Sequence, residues 1–267
     1  MSRSGKGLKT FEKLIKNNLS PSAKKMIGAI IFLLVLGLLA VYFFVIRGVG
    51  IKYALNEDGV SYSVVGMGIN FNSDIEISET YKGLPVTAIG DNAFSDILGK
   101  QIRSIKIPET VTSIGWGAFA NCKKLESVTI PYNVTVIREM TFEGCEGLKD
   151  VYLGSGVKVI ENAAFRNCAS LEGVFMPREI TRIDEYAFSY CESLQSIEIP
   201  ASVSYIGEMA FFGCSSLTSV YFEDCYSWRV GSDSDSYTSL SNGVLDDQAT
   251  AAKLLSDEYS GLTWKHR

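Results

Sequence analysis

From Phe119 to Phe211 the chain returns to one frame every 23 residues, with Phe119, Phe142, Phe165, Phe188 and Phe211 in register. Ala118, Thr141, Ala164, Ala187 or Ala210 precedes each Phe. Cys follows three residues later (Cys122, Cys145, Cys168, Cys191, Cys214), and Leu three after that (Leu125, Leu148, Leu171, Leu194, Leu217). Each copy closes on an apolar-x-apolar pair: Val128/Ile130, Val151/Leu153, Val174/Met176, Ile197/Ile199 and Val220/Phe222. Ala93-Phe94 opens a sixth copy 25 residues ahead of Ala118-Phe119, with Ile97 in place of the Cys. A fixed period of this length marks a solenoid, because one such unit cannot bury its own apolar side and must stack on its neighbours.

The pattern inside a unit predicts its course. Leu125-x-x-Val128-x-Ile130 ends with period two, so Val128 and Ile130 point inward and Thr129 outward, as in a short strand. Pro108, Pro131, Pro177 and Pro200 share the next frame position, where a residue with no N–H and a fixed φ ends the strand and turns the corner. A second inward pair, Val134/Ile137, with counterparts Val111/Ile114, Val157/Ile160, Ile180/Ile183 and Val203/Ile206, fills the other side, and Phe plugs the centre. Coils stacked about 4.8 Å apart then pair their strands in parallel and set Phe on Phe. Strands at 75–77, 105–107, 128–130, 151–153, 174–176, 197–199 and 220–222 give seven rungs. The step from Ile77 to Ile107 is 30 residues rather than 23, so the extra seven are expected to loop out at Lys82–Pro85 and Leu98–Lys100.

Charge and hydropathy divide the chain. Residues 1–47 hold eight Lys/Arg and one acid, Glu12, whereas residues 48–267 hold 17 Lys/Arg and 29 Asp/Glu, so the net −5 is +7 and −12 combined. So acidic a folded part argues against nucleic acid as a partner, which needs a clustered positive face. Met26 to Ile46 is a run of 21 residues without a charge; as a helix it would reach roughly 31 Å, the thickness of a bilayer core, and is expected to be a transmembrane helix. The run exceeds the apolar region of a cleaved signal, about 7–15 residues, and no Ala-x-Ala-like site follows. Lys6, Lys9, Lys13, Lys16, Lys24 and Lys25 precede it while only Arg47 and Lys52 follow closely, which places the N-terminus in the cytoplasm and the repeats outside. Leu8, Phe11, Leu14 and Ile15 recur at helical spacing among the lysines, which suits either a helix on the inner leaflet or a disordered basic tail.

The expected organisation is a basic cytoplasmic segment at 1–25, a transmembrane helix at 26–46, a linker at 47–52, an N-terminal cap with the first strand at 53–92, the repeat solenoid at 93–223 and a C-terminal cap at 224–267. Val60 to Val65 alternates like a strand after the turn signal Asp58-Gly59. Gly231 to Ser239 is polar and turn-rich, and 246–255 is helix-compatible.

The unit V-x-x-I-x-x-x-A-F-x-x-C-x-x-L-x-x-V-x-I-P, led in by the segment from Tyr81 to Phe94, resembles the BspA-type leucine-rich repeats of bacterial surface proteins. The resemblance covers roughly residues 53–230, and the closing Ala251-Ala-Lys-Leu-Leu, Tyr259 and Trp264-Lys265 are similar to a tail common in such proteins. It implies a leucine-rich-repeat-like right-handed coil of about six 23-residue units with a parallel sheet of about seven short strands, here preceded by one transmembrane helix. It also implies adhesion, the binding of host matrix proteins or of other bacteria.

Chemistry-bearing clusters are sparse. His266, the single histidine, is expected to be a frayed end, which removes Ser-His-Asp, Cys-His and histidine-based metal sites. The column of five Cys reads as buried thiols acting as small hydrophobes, or as disulfides, with Cys214 and Cys225 the candidate pair. Asp233 and Asp235, with Asp224 nearby, lack the Gly and bidentate Glu of a calcium loop, and Gly66-Met-Gly68 is not followed by the helix of a phosphate loop. No cofactor and no enzymatic activity are expected. The informative surface is the outward strand row: Glu76, Lys106, Thr129, Tyr152, Phe175, Glu198 and Tyr221. Tyr152 and Phe175 adjoin there as an exposed aromatic pair of the kind that marks interaction sites, unless they only stabilise the sheet. Tyr221, Tyr132 and Arg178 complete the candidate ligand-binding set. The expected partner is an extracellular or cell-envelope protein or glycan, met by a single-pass protein of the cell membrane; the alternative is a scaffold that docks another envelope protein in the same membrane.

Overall fold

The computed structural model describes residues 20–47, 50–68, 72–95, 99–232, 236–241 and 243–266. Two compact units, Met1–Val49 and Gly50–Arg267, make up the chain. The described part of the first is a helix, Pro21–Arg47. Ser20 Oγ accepts the Ala23 amide at 3.2 Å, a helix cap, and Pro21 takes the first helical position that its missing N–H and fixed φ suit. Met26, Ile30, Ile31, Phe32, Leu33 and Leu34 stand exposed on this helix. Among the residues described with their side chains, which here end at residue 37, no helix is long and apolar enough to cross a membrane. The span expected over 26–46 is therefore not shown, and residues 1–19 of the basic segment lie outside the described residues.

The second unit is a β-solenoid of about seven turns. On its front, Asp74–Glu76, Ser104–Lys106, Ser127–Thr129, Asp150–Tyr152 and Gly173–Phe175 pair in parallel, and Ser196–Ile199 pairs with Ser219–Phe222. These are the seven expected rungs, each starting one residue early, but they form two sheets rather than one: no ladder joins Gly173–Phe175 to Ser196–Ile199. The break falls beside Gly173, and glycine within a strand weakens it by its backbone entropy and its lack of a side chain to pack. The back carries a second ladder, Val136–Ile137, Val159–Ile160, Arg182–Ile183 and Tyr205–Ile206 in register. The expected loop at Leu98 falls partly outside the described residues, and Gly99–Gln101 is a short 3-10 turn.

At the N-terminal end Ile51–Leu55 and Tyr62–Met67 form an antiparallel hairpin that joins Leu84–Ile89 in parallel. At the other end Thr263–Lys265 lies antiparallel on Tyr205–Ile206, with Arg229–Gly231 beyond it. The helix Gln248–Lys253 is capped by Asp247, whose carboxylate accepts the Thr250 amide at 2.7 Å. Phe222, Trp228 and Trp264 pack around one another over the last coil. His266 is not frayed: its amide donates to Ser204 O at 3.0 Å, and its ring stacks on Trp228 with 5.1 Å between centroids.

Three columns run down the core. The Phe rings from Phe94 to Phe211 stack in sequence, for instance 5.2 Å between the centroids of Phe119 and Phe142 with planes 3° apart. Each repeat Cys donates its thiol to the carbonyl of a Phe in an earlier coil, Cys145 to Phe119 and Cys168 to Phe142 at 3.2 Å. No disulfide joins the six cysteines; Cys214 donates to Phe188 O, and Cys225 donates to Asp246 Oδ1, which leaves the candidate pair unbridged. The third column is backbone. Two residues before each core Phe the chain is left-handed, at Asn92, Gly117, Met140, Ala163, Tyr186 and Met209, and two residues after it the same holds at Asn121, Gly144, Asn167, Tyr190 and Gly213. These paired reversals let a tight turn carry Phe to the axis.

Candidate functional site

The front face places the outward row on rigid backbone. Tyr152 and Phe175 are register partners on adjacent parallel strands, 57% and 77% exposed. Among the described residues no ring contact joins them, whereas every neighbouring pair in the core Phe column is stacked. Two large apolar surfaces are instead held open to solvent.

Beside them the break in the ladder leaves a hollow of about 360 Å³, walled by Tyr152 and Phe175, floored by Gly173 and bounded by Asp150 on one side and Ser196 and Glu198 on the other. A Cβ on Gly173 would meet nothing within 4 Å, so the missing side chain is what leaves the floor open. A second hollow of about 570 Å³ adjoins it past Phe175, with Met176, Arg178, Glu198 and Glu223 among its walls. Arg178 lies 3.9 Å from Glu223 and is itself largely exposed.

Charges along the face are arranged unequally. At its N-terminal end they neutralise one another: Lys106 with Glu76 at 2.7 Å, Arg103 with Glu126 at 2.8 Å. Around the aromatic pair, Asp150, Glu172 and Glu198 make no side-chain hydrogen bond or ion pair within the described residues. Of the sequence-derived candidates, the structure brings Tyr152, Phe175 and Arg178 to the two hollows. Tyr221 lies one strand beyond Glu198 on the other sheet fragment, and Tyr132 sits in the turn after Ser127–Thr129; both are exposed, and neither lines either of these two hollows. Sequence reasoning missed Asp150 and Gly173. Their signal lies in the frame position two residues earlier, where Ser104, Ser127, Ser196 and Ser219 are interrupted by Asp150 and then Gly173.

Among the described residues no group of three or more His, Cys, Asp or Glu is placed to hold a metal ion; Asp233 and Asp235 lie outside them. The repeat thiols are chemically quiet: burial pushes Cys145, Cys168 and Cys191 well up from the usual thiol range and Cys214 up to about 12.

Coils stacked at a 23-residue period, with buried Phe, Cys and Leu columns and parallel ladders on their faces, define a repeat solenoid. Residues 87–218 match the BspA type leucine rich repeat region in six copies, and the repeat region of this chain belongs to that family. No curated protein matches the chain. A leucine-rich repeat protein from Bacteroides ovatus is similar at 35% identity and a TM-score of 0.59, over 64% of this chain and 45% of that one. A leucine rich cell surface protein from Faecalibacterium prausnitzii is similar at 28% identity and a TM-score of 0.50, over 72% of this chain and 57% of that one. The chain thus spans about half the length of these relatives.

Proposed function

We propose that this protein is a non-catalytic interaction module, displayed outside a cell membrane by the helix at 26–46, that recognises an extracellular or envelope protein or glycan through the sheet face at Tyr152 and Phe175. The observation that carries the reading is that these register partners are exposed and unstacked on adjacent strands. Burying one such ring against a partner contributes roughly 1.5–3 kcal/mol, and a rigid ladder has little ordering left to lose on binding. The absence of charge from Met26 to Ile46 and the exposed apolar side chains of the helix support the membrane anchor, and the cell-surface description of the Faecalibacterium relative is consistent with it.

The test is to present the full-length chain, purified in detergent, to arrays of matrix proteins and glycans and to solubilised envelope. Capture of a partner that the Tyr152→Ala/Phe175→Ala form fails to hold is expected; capture unchanged by the double substitution defeats the sheet-face reading. One observation favours a second reading. Only three residues separate Arg47 of the helix from Ile51 of the first strand, a tether of short reach, which suits a scaffold docking an envelope protein in the same membrane. Photo-crosslinking from position 175 in intact cells separates the two by naming the captured neighbour.

A further inference from the structure

We infer that the hollow over Gly173 takes the cationic side chain of a basic polypeptide, a Lys or Arg seated between the aromatic pair and the carboxylates of Asp150 and Glu198. This rests on the sheet-face reading above and specifies what that face binds.

Three features of the hollow point the same way. Its walls are the exposed rings of Tyr152 and Phe175, and a ring face attracts a cation within about 6 Å of its centroid. Its rim holds Asp150 and Glu198, which make no side-chain ion pair or hydrogen bond within the described residues, although carboxylates further along the same face are paired with Lys106 and Arg103. Its floor is Gly173, over which a Cβ would find open space, so a guest side chain of a few carbons has room to lie along the strand. Charge complementarity extends beyond the hollow: residues 48–267 carry 29 acids against 17 Lys/Arg, a net −12 that draws basic partners and repels acidic ones. A neutral sugar would use the rings and donate hydroxyls to the carboxylates, but it would leave their two negative charges uncompensated, which a Lys or Arg does not.

The experiment titrates the full-length chain in detergent with short alternating glycine–lysine and glycine–arginine peptides, a neutral glycine–glutamine peptide and a soluble chito-oligosaccharide, followed by calorimetry. The basic peptides are expected to bind, with affinity falling as salt rises. Asp150→Asn/Glu198→Gln, Phe175→Ala and Gly173→Val are each expected to weaken that binding by about fivefold or more at unchanged thermal stability. If the basic peptides show no binding up to about 1 mM, or the neutral peptide or the sugar binds as well as they do, the inference is overturned. Binding indifferent to Asp150→Asn/Glu198→Gln overturns it too. Should Tyr152→Ala/Phe175→Ala still release an array-captured partner in those cases, the cation assignment fails while the sheet-face reading stands.

Discussion

Phe142 and Phe165 lie with ring centroids 5.3 Å apart and planes 5° from parallel, one step in a column that runs the length of the solenoid. Both are fully buried, and the Phe142 amide donates to Ala164 O of the next coil at 2.8 Å, so ring and backbone lock the same joint. Phe142→Ala is expected to lower unfolding stability by about 3–5 kcal/mol in chemical denaturation. Phe175→Ala, on the exposed face, is expected to change it by no more than about 0.5 kcal/mol. Equal losses at the two positions would mean that Phe175 belongs to the scaffold.

The Cys column gives a reactivity prediction. In the native chain a thiol reagent is expected to label Cys225 alone, and slowly, because the Asp246 carboxylate that accepts its hydrogen bond pushes its thiol pKa up, and to reach the five buried repeat cysteines only on unfolding. Rapid native labelling of more than one thiol would contradict this packing.

The raised pKa values of the buried repeat thiols set a dependence on pH. A thiol whose pKa is raised by folding keeps its proton in the native state at pH values where the unfolded chain has lost it. Stability from this source is fully present below the unfolded value, about 8.5, and declines as pH climbs towards the native value, about 12 for Cys214. The expected slope is about −1.4 kcal/mol per pH unit for each such thiol, measured by denaturation between about pH 9 and 11. Replacing Cys214 by Ala should make the slope shallower by that one thiol's share, leaving the part due to Cys145, Cys168 and Cys191.

Met140 occupies a left-handed position at φ 54°, where its frame counterpart is Gly117. Left-handed backbone costs a side-chain-bearing residue about 1–2 kcal/mol, against about 0.5–1 kcal/mol for the extra unfolded freedom of glycine. Met140→Gly is therefore expected to raise stability slightly, by about 0.5–1 kcal/mol. Gly144→Ala is expected to lower it, since φ is 70° there and the new Cβ would meet Asn121 Oδ1 at 2.7 Å. Melting curves of the two variants moving the same way would contradict the assignment.

The scaffold was readable because its residues repeat. Phe119, Cys122, Leu125, Val128 and Ile130 recur with period 23, and that period dictates stacking, strand direction and the buried rows. The break in the front sheet was not readable, since it falls at the one Gly in a column of Ser and Asp positions, and periodicity averages such a position away. Nor was the thiol-to-carbonyl ladder, which depends on where the coil turns rather than on which residue type stands there. The aromatic pair was legible as a departure from the repeat, but Asp150 and Gly173, which shape the space beside it, were not: each is unremarkable until the fold sets it next to Tyr152 and Phe175. The packing of His266 on Trp228 likewise comes from the closing strand Thr263–Lys265, which carries the chain end back over that ring.

The central claim is that the repeated positions build the scaffold while the unlike residues on its face do the reading. Its most direct measurement is the amount of partner retained by Tyr152→Ala/Phe175→Ala relative to the unsubstituted chain, taken together with the melting temperature of each. The account predicts that retention falls at least about tenfold while the melting temperature stays within a degree or two. Full retention at an unchanged melting temperature would contradict it.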